Sequence, residues 1–310
     1  MYLNVVHTYI KAVLKSIVTL GYSQLAKVIH SSNERKGNFL LRYVCIVLFF
    51  GFLSLSVDAQ TVLISPTGDG GFETGSTLSA NGWTEVNDAT NYWTVGTTTP
   101  YAGSRAAYIS TNGTNNSYSN AVVSTSHFYR DITVPATETN ISLSFYLKGV
   151  GEANWDRLLV YTAPTSVTPV AGTPSSQGTA LAGANLVYAQ VATYANYTLQ
   201  TVTLPASLAG TTFRLIFTWQ NDGNTGTNPP AEVDNISLVS SSPTIYYSRN
   251  SNTPTNLNNW RTNANGTGTA PTSFNSGLFI VQSIHSMTTN ANWTVGGSVT
   301  VNSGGTLSLA

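Results

Sequence analysis

The clearest alternation of hydrophobic and polar positions lies in residues 211–239, TTFRLIFTWQNDGNTGTNPPAEVDNISLV. Phe213, Leu215, Phe217 and Trp219 alternate with Arg214, Ile216, Thr218 and Gln220, the period of a strand that buries one face. The loop 221–230 holds Gly223, Gly226 and the Pro229–Pro230 pair, which cannot donate to a ladder. In the strand that follows, Asp234 is in phase with Ile236 and Leu238. That phase predicts a carboxylate on the core side, where burial is costly without a partner.

The same period recurs upstream. Ile141, Leu143, Phe145 and Leu147 alternate with Ser142, Ser144, Tyr146 and Lys148, a half-buried strand. Further strands are predicted over 106–110, 121–124, 127–134, 156–161 and 197–204, with no convincing helical pattern between 61 and 239. This number of strands in residues 60–239 fits one all-β sandwich better than two domains. The Pro-, Ser-, Gly- and Ala-rich stretch 165–183 is expected as an excursion at the sandwich edge or a mobile loop.

Residues 240–245, opening on three serines and a proline, are expected to be a linker. Beyond it, over 246–310, the texture changes. Short apolar pieces at 278–281, 293–295, 299–301 and 307–309 are separated by Gly296-Gly297 and Asn302-Ser303-Gly304-Gly305. Short strands punctuated by glycine predict the first coils of a β-solenoid, broken off in mid-pattern at Ala310.

The chain opens differently. Residues 43–57, YVCIVLFFGFLSLSV, form an apolar run preceded by Arg35, Lys36 and Arg42 and followed by Val57-Asp58-Ala59. The pattern is a secretory signal peptide over about 37–59, cleaved after Ala59. The run is shorter than the about 20 residues of a spanning anchor, so no membrane span is expected after cleavage. Residues 1–36 read as an upstream extension, and 1–59 as a whole are set aside from the fold. Cys45, the single cysteine, goes with them. Stability is therefore expected from a large core or a bound metal, since disulfides are not available. Residues 60–310 carry seven basic and eleven acidic side chains, a net charge near −4. Nothing in this balance forms a basic nucleic-acid footprint.

The segments GFETG (71–75), LSFYLKG (143–149), DRLLVY (156–161), FRLIFTW (213–219) and VDNISL (233–238), with Trp83 and Trp93, follow one another in a telling order. Over about 61–239 the chain resembles the jelly-roll domains of large secreted Bacteroidetes surface proteins, which are similar to MAM-type and carbohydrate-binding jelly rolls. The tail from Tyr246 resembles the β-helical repeats that follow such domains. The resemblance implies a jelly-roll β-sandwich and a structural calcium ion where the first and last strands meet. Glu73 and Asp234 are the candidate ligands, with Asp156, in phase with Leu158 and Val160, as a further acid. The alternative is that Asp234 caps a turn or pairs with Arg105, Arg157 or Arg214.

Rings in loops and at strand ends, Trp83, Tyr92, Trp93, Tyr101, Tyr118 and Trp155, are candidates for stacking on sugars. Trp83, Tyr92, Trp93 and Trp155 are the foremost of these, set against ordinary core packing for any of them. Trp219 belongs to the core phase. Catalysis finds little material: His127 and His285 are the only histidines after the leader. The carboxylate pairs Glu152/Asp156 and Glu85/Asp88 lie close together on turns, which does not make a cleft. The expected role is a non-catalytic extracellular binding or adhesion module for polysaccharide or glycoprotein. An accessory domain of a larger secreted polysaccharide hydrolase or protease, or a structural spacer of a surface protein, are the alternatives.

Overall fold

The computed structural model describes residues 60–174 and 179–310. The expected extension and signal peptide, 1–59, lie outside the described residues.

Eleven strands form two facing antiparallel sheets. They are β1 Thr61–Ile64, β2 Thr84–Val86, β3 Tyr92–Gly96, β4 Ala106–Ser110, β5 Val123–Thr133, β6 Asn140–Gly149, β7 Arg157–Pro164, β8 Asn185–Ala189, β9 Tyr194–Leu204, β10 Thr212–Asp222 and β11 Glu232–Ser241. Sheet A has the order β3-β4-β11-β6-β9, with β1 beside the far half of β11; sheet B has the order β2-β5-β10-β7-β8. The chain steps between sheets at every connection except β3–β4 and β7–β8, as a jelly roll does. The first strand pairs antiparallel with the last.

The inward sides of β6 (Leu143, Phe145, Leu147) and β10 (Phe213, Leu215, Phe217, Trp219) meet in the core. Each such side chain contributes about 1.5–3 kcal/mol by leaving water. Phe128 of β5 stacks on Phe217 with centroids 4.9 Å apart, and Trp83 and Trp93 meet its ring edge-on at 5.1 and 4.8 Å.

Two departures from the sequence pattern matter. The pieces 121–124 and 127–134 belong to one strand, β5, whose middle carries Ser124, Thr125, Ser126 and His127, all buried. These polar side chains look like a break in the sequence, yet each has a partner: Asn221, the Pro174 carbonyl, the Asn91 carbonyl and Thr218, respectively. The described residues of 165–183 are not an edge excursion, because they lie across the outer face of sheet B. Leu159, Tyr161, Ala163 and Ile216 on that face bury against Leu181 and Val167. Arg214 fastens the cover from below. It donates to the Val167 carbonyl at 2.8 Å, forks onto Asp131 at 2.7 and 3.0 Å, and lies 4.1 Å over the Tyr129 ring. β7 is therefore apolar on both faces.

The expected linker 240–245 is shorter than its serines imply. β11 continues through Ser240 and Ser241, whose main chain pairs with β6, and Ile245 already opens the next strand. The remaining strands are β12 Ile245–Ser248, β13 Trp260–Arg261, β14 Leu278–Val281, β15 Ser286–Thr288, β16 Ser298–Val301 and β17 Thr306–Ser308. β12, β14 and β16 form a parallel ladder, and β15 and β17 a second one. Leu278 faces Ser298 and Ser286 faces Thr306, the same offset in both ladders. Trp260, Phe279, Val281 and Met287 fill the space between. Residues 293–295 form no strand; Trp293 instead stacks on Trp260 at 5.8 Å.

Candidate functional site

Ala231, just before β11, and Val233 on it point into the core, and so do Ile236 and Leu238. Two residues, not one, separate Val233 from Ile236. The register with β6 slips between Asp234 and Ser237, and Asn235 sits at φ +49°, a bulge in a conformation that Asn tolerates. The bulge reverses the phase. Asp234, expected on the core side with Ile236, is on the outer face of sheet A with Glu232, opposite Tyr146 and Lys148 of β6. The arm carrying Glu73 crosses at this bulge. The Gly70 carbonyl accepts the Ile236 amide at 2.8 Å, and a Cβ on Gly70 would stand 1.9 Å from the Ile236 oxygen, so only glycine fits.

Asp234 is buried although outward, because the β3–β4 turn closes over it. Its Oδ2 accepts the amides of Tyr101 (2.9 Å) and Ala102 (3.1 Å), and its Oδ1 that of Asn235 (2.7 Å). Glu73 Oε1 accepts the next pair of amides, Ser104 (2.7 Å) and Arg105 (2.9 Å). Glu73 and Asp234 thus come together on one turn, and the turn-capping alternative describes Asp234. Burial pushes the Asp234 carboxyl up to about 6 against the pull of these amides, with the Glu73 charge adding to the rise.

The set does not fit the expected calcium ion. Asp234 Oδ1 and Oδ2 and Glu73 Oε1 already accept amide hydrogens, and the groups turned toward them are N–H donors rather than the further oxygens that calcium needs. Asp156 lies at the end of the other sheet. It accepts the Tyr118 hydroxyl and, at 3.3 Å, the Asp222 amide, and burial pushes it up to about 6. Among the described residues no group of three or more His, Cys, Asp or Glu side chains is arranged to hold a metal.

The pinned turn presents Tyr101, 43% exposed, flat against Tyr146 of β6 with centroids 3.5 Å apart and planes at 15°. Tyr197 of β9 meets Tyr101 edge-on at 5.5 Å, and Lys148 lies 5.3 Å over the Tyr197 ring. Beside these rings Glu232 is fully buried. Its Oε2 accepts Lys148 Nζ (2.7 Å), Asn116 Nδ2 (2.9 Å) and Thr99 Oγ1 (3.2 Å). Burial drives its carboxyl above the usual carboxylate range, against the opposing pull of Lys148. An exposed ring pair next to hydroxyl, amide and charged groups matches the two-sided chemistry of a sugar, which has an apolar C–H face and hydroxyl edges.

The rings nominated from the sequence scatter. Trp83 and Trp93 are core residues, 2% and 1% exposed, with indole N–H groups donating to the Asp69 and Ser126 carbonyls; they are not ligand platforms. Their size in the tightest part of the core is the reason. Tyr92 is half-buried within β3, and Tyr118 is buried against Trp219. Trp155 is exposed, on the turn between Glu152 and Asp156. Of the six, Tyr101 alone joins the cluster. Tyr146 and Lys148 were signalled as the outward half of the β6 alternation. Tyr197, Glu232 and Asn116 carry no signal of their own.

No family model matches the chain, and no curated protein matches it. Solved structures do. A carbohydrate-binding module described as promiscuous in specificity, of the β-sandwich superfamily, matches with 17% identity and a TM-score of 0.37 over 56% of this chain and 62% of its own. A xylan-binding domain from Paenibacillus barcinonensis matches with 14% identity and a TM-score of 0.37 over 60% of this chain and 99% of its own. A cyclase from Fischerella sp. TAU matches with 13% identity and a TM-score of 0.37 over 59% of this chain and 99% of its own. Binders and a cyclase stand at the same score, so ligand and reaction are read from the site itself.

Proposed function

We propose that residues 60–241 form a non-catalytic, extracellular glycan-binding module whose ligand stacks on Tyr101 and Tyr146. The observation that carries the reading is the exposed Tyr101 ring, stacked on Tyr146 and held by a turn that two acids pin through four amides. Such pinning places the ring before a ligand arrives, so little ordering entropy is lost on binding. Thr99, exposed beside them, is the hydroxyl partner. The signal-like leader supports export, and the parallel stack after Ile245 supports a solenoid that displays the module on a cell surface.

Affinity electrophoresis of the full chain through gels containing soluble plant, fungal or bacterial polysaccharides tests the reading. Retardation by at least one polysaccharide is expected, with Tyr101→Ala weakening it roughly tenfold, about 1.4 kcal/mol. Equal retardation of Tyr101→Ala and wild type would place any ligand elsewhere.

A further inference from the structure

Three side chains on the outer face of sheet A meet at one oxygen. Glu232 Oε2 accepts from Lys148 Nζ at 2.7 Å, from Asn116 Nδ2 at 2.9 Å and, more distantly, from Thr99 Oγ1 at 3.2 Å. Lys148 is on β6, Glu232 faces it on β11, and Asn116 follows β4, which pairs with β11 on the other side. The amine and the side-chain amide are thus no further apart than their two bonds laid end to end. Glu232 is completely buried and the Lys148 side chain is 16% exposed.

Two acceptors in this cluster, Glu232 Oε1 and Asn116 Oδ1, are buried with no hydrogen-bond partner. A buried acceptor without a donor is costly. The Tyr197 hydroxyl, likewise buried without a partner, stands against the same carboxyl, and a proton on Glu232 Oε1 would serve both groups. Burial favours a proton on the Glu232 carboxyl, with Lys148 pulling the other way. An amine, a side-chain amide and a buried carboxyl thus meet at one point.

We propose that Lys148 and Asn116 join in an intramolecular isopeptide bond, with Glu232 as the acid–base catalyst. The Lys148 Nζ lone pair attacks Asn116 Cγ while the Glu232 proton stabilises the charge developing on Oδ1. Glu232 takes a proton from Nζ and returns one to Nδ2. The Cγ–Nδ2 bond breaks, Nδ2 leaves as ammonia, and a Cγ–Nζ amide remains. One amine and one amide become one amide and ammonia, with no oxidant, metal or water consumed. Nζ lies over the Tyr197 ring and Glu232 is completely buried, which limits the water that would compete by hydrolysis. The bond ties β6 to the segment after β4 across β11, the constraint a disulfide supplies elsewhere, in a chain without cysteine after residue 45.

Peptide mapping of the folded full chain by tryptic digestion and mass spectrometry tests this. Arg105, Arg130, Lys148 and Arg157 bound the relevant peptides. The bond predicts peptide 106–130 joined to 131–157, with Lys148 uncut and the pair lighter than its sum by ammonia, about 17 Da. Asn116→Ala should release 106–130, 131–148 and 149–157 as separate species, and so should Glu232→Gln. Separate peptides from wild type overturn the bond. A linked species from folded Glu232→Gln overturns the part given to Glu232. Should that variant fail to fold, wild type against Asn116→Ala decides the bond.

Discussion

His127 gives a sharp test of the cover over sheet B. The ring is completely buried; Nδ1 meets the Thr218 hydroxyl at 2.9 Å and Nε2 meets the carbonyls of Thr173 (3.0 Å) and Val170 (3.3 Å). Carbonyls only accept, so Nε2 carries the proton of a neutral ring. Burial pulls its pKa down to about 4 from 6.5, with the two carbonyls opposing. In the folded state the imidazolium is disfavoured, so the unfolded chain binds a proton first as pH falls. The stability contributed by His127 is complete above the unfolded value and is lost as pH falls through 6.5 toward about 4. By about pH 4.5 the loss amounts to roughly 2.5 kcal/mol. Asp156 and Asp234, both raised to about 6, have the opposite slope over part of this window, so the comparison must be a difference. Urea unfolding of wild type and His127→Gln at about pH 7.5 and about pH 4.5 isolates the ring. The variant costs stability at neutral pH through lost packing, and that deficit should shrink by roughly 2.5 kcal/mol at the acid pH. An equal deficit at both pH values would mean that the imidazole titrates as in water and that residues 165–174 do not cover it.

Other outcomes follow from the same geometry. Trp83→Ala should cost about 3–5 kcal/mol in chemical unfolding, as befits a core ring, and leave polysaccharide retention per folded molecule unchanged. Gly70→Ala should cost about 3 kcal/mol, because the Ile236 carbonyl must move. Glu73→Ala frees the Ser104 and Arg105 amides, so limited trypsin digestion should cut after Arg105 several-fold faster than in wild type. Thermal melts with calcium and with a chelator should coincide; a calcium-dependent rise would show that an ion displaces the amides from Glu73 and Asp234.

Strands with one buried face were legible from the sequence. The alternations at 141–149 and 213–220 lie within β6 and β10, and they located the core. β8 and β9 were obscure or partial because exposed positions on these edge strands blur any period. The cover on sheet B was hidden for the opposite reason: β7 is apolar on both faces, so its run shows no alternation to interpret. Asp234 was rightly singled out and wrongly faced. Counting by twos cannot detect an inserted residue, and the only hint was Asn235, a residue that accepts positive φ. Tyr101 could be nominated from its loop, but Tyr146, Tyr197, Glu232 and Asn116 come together only through pairings between distant strands. Tryptophan drew attention as the larger ring, and the core claimed it for the same reason.

A glycan array probed with the full chain, wild type beside Tyr101→Ala and Trp155→Ala, tests the central claim most directly. Wild type and Trp155→Ala should mark the same glycans, and Tyr101→Ala should lose them by roughly tenfold in affinity. A wild-type signal that survives Tyr101→Ala and vanishes with Trp155→Ala would move the site to the opposite sheet's turn and contradict the account.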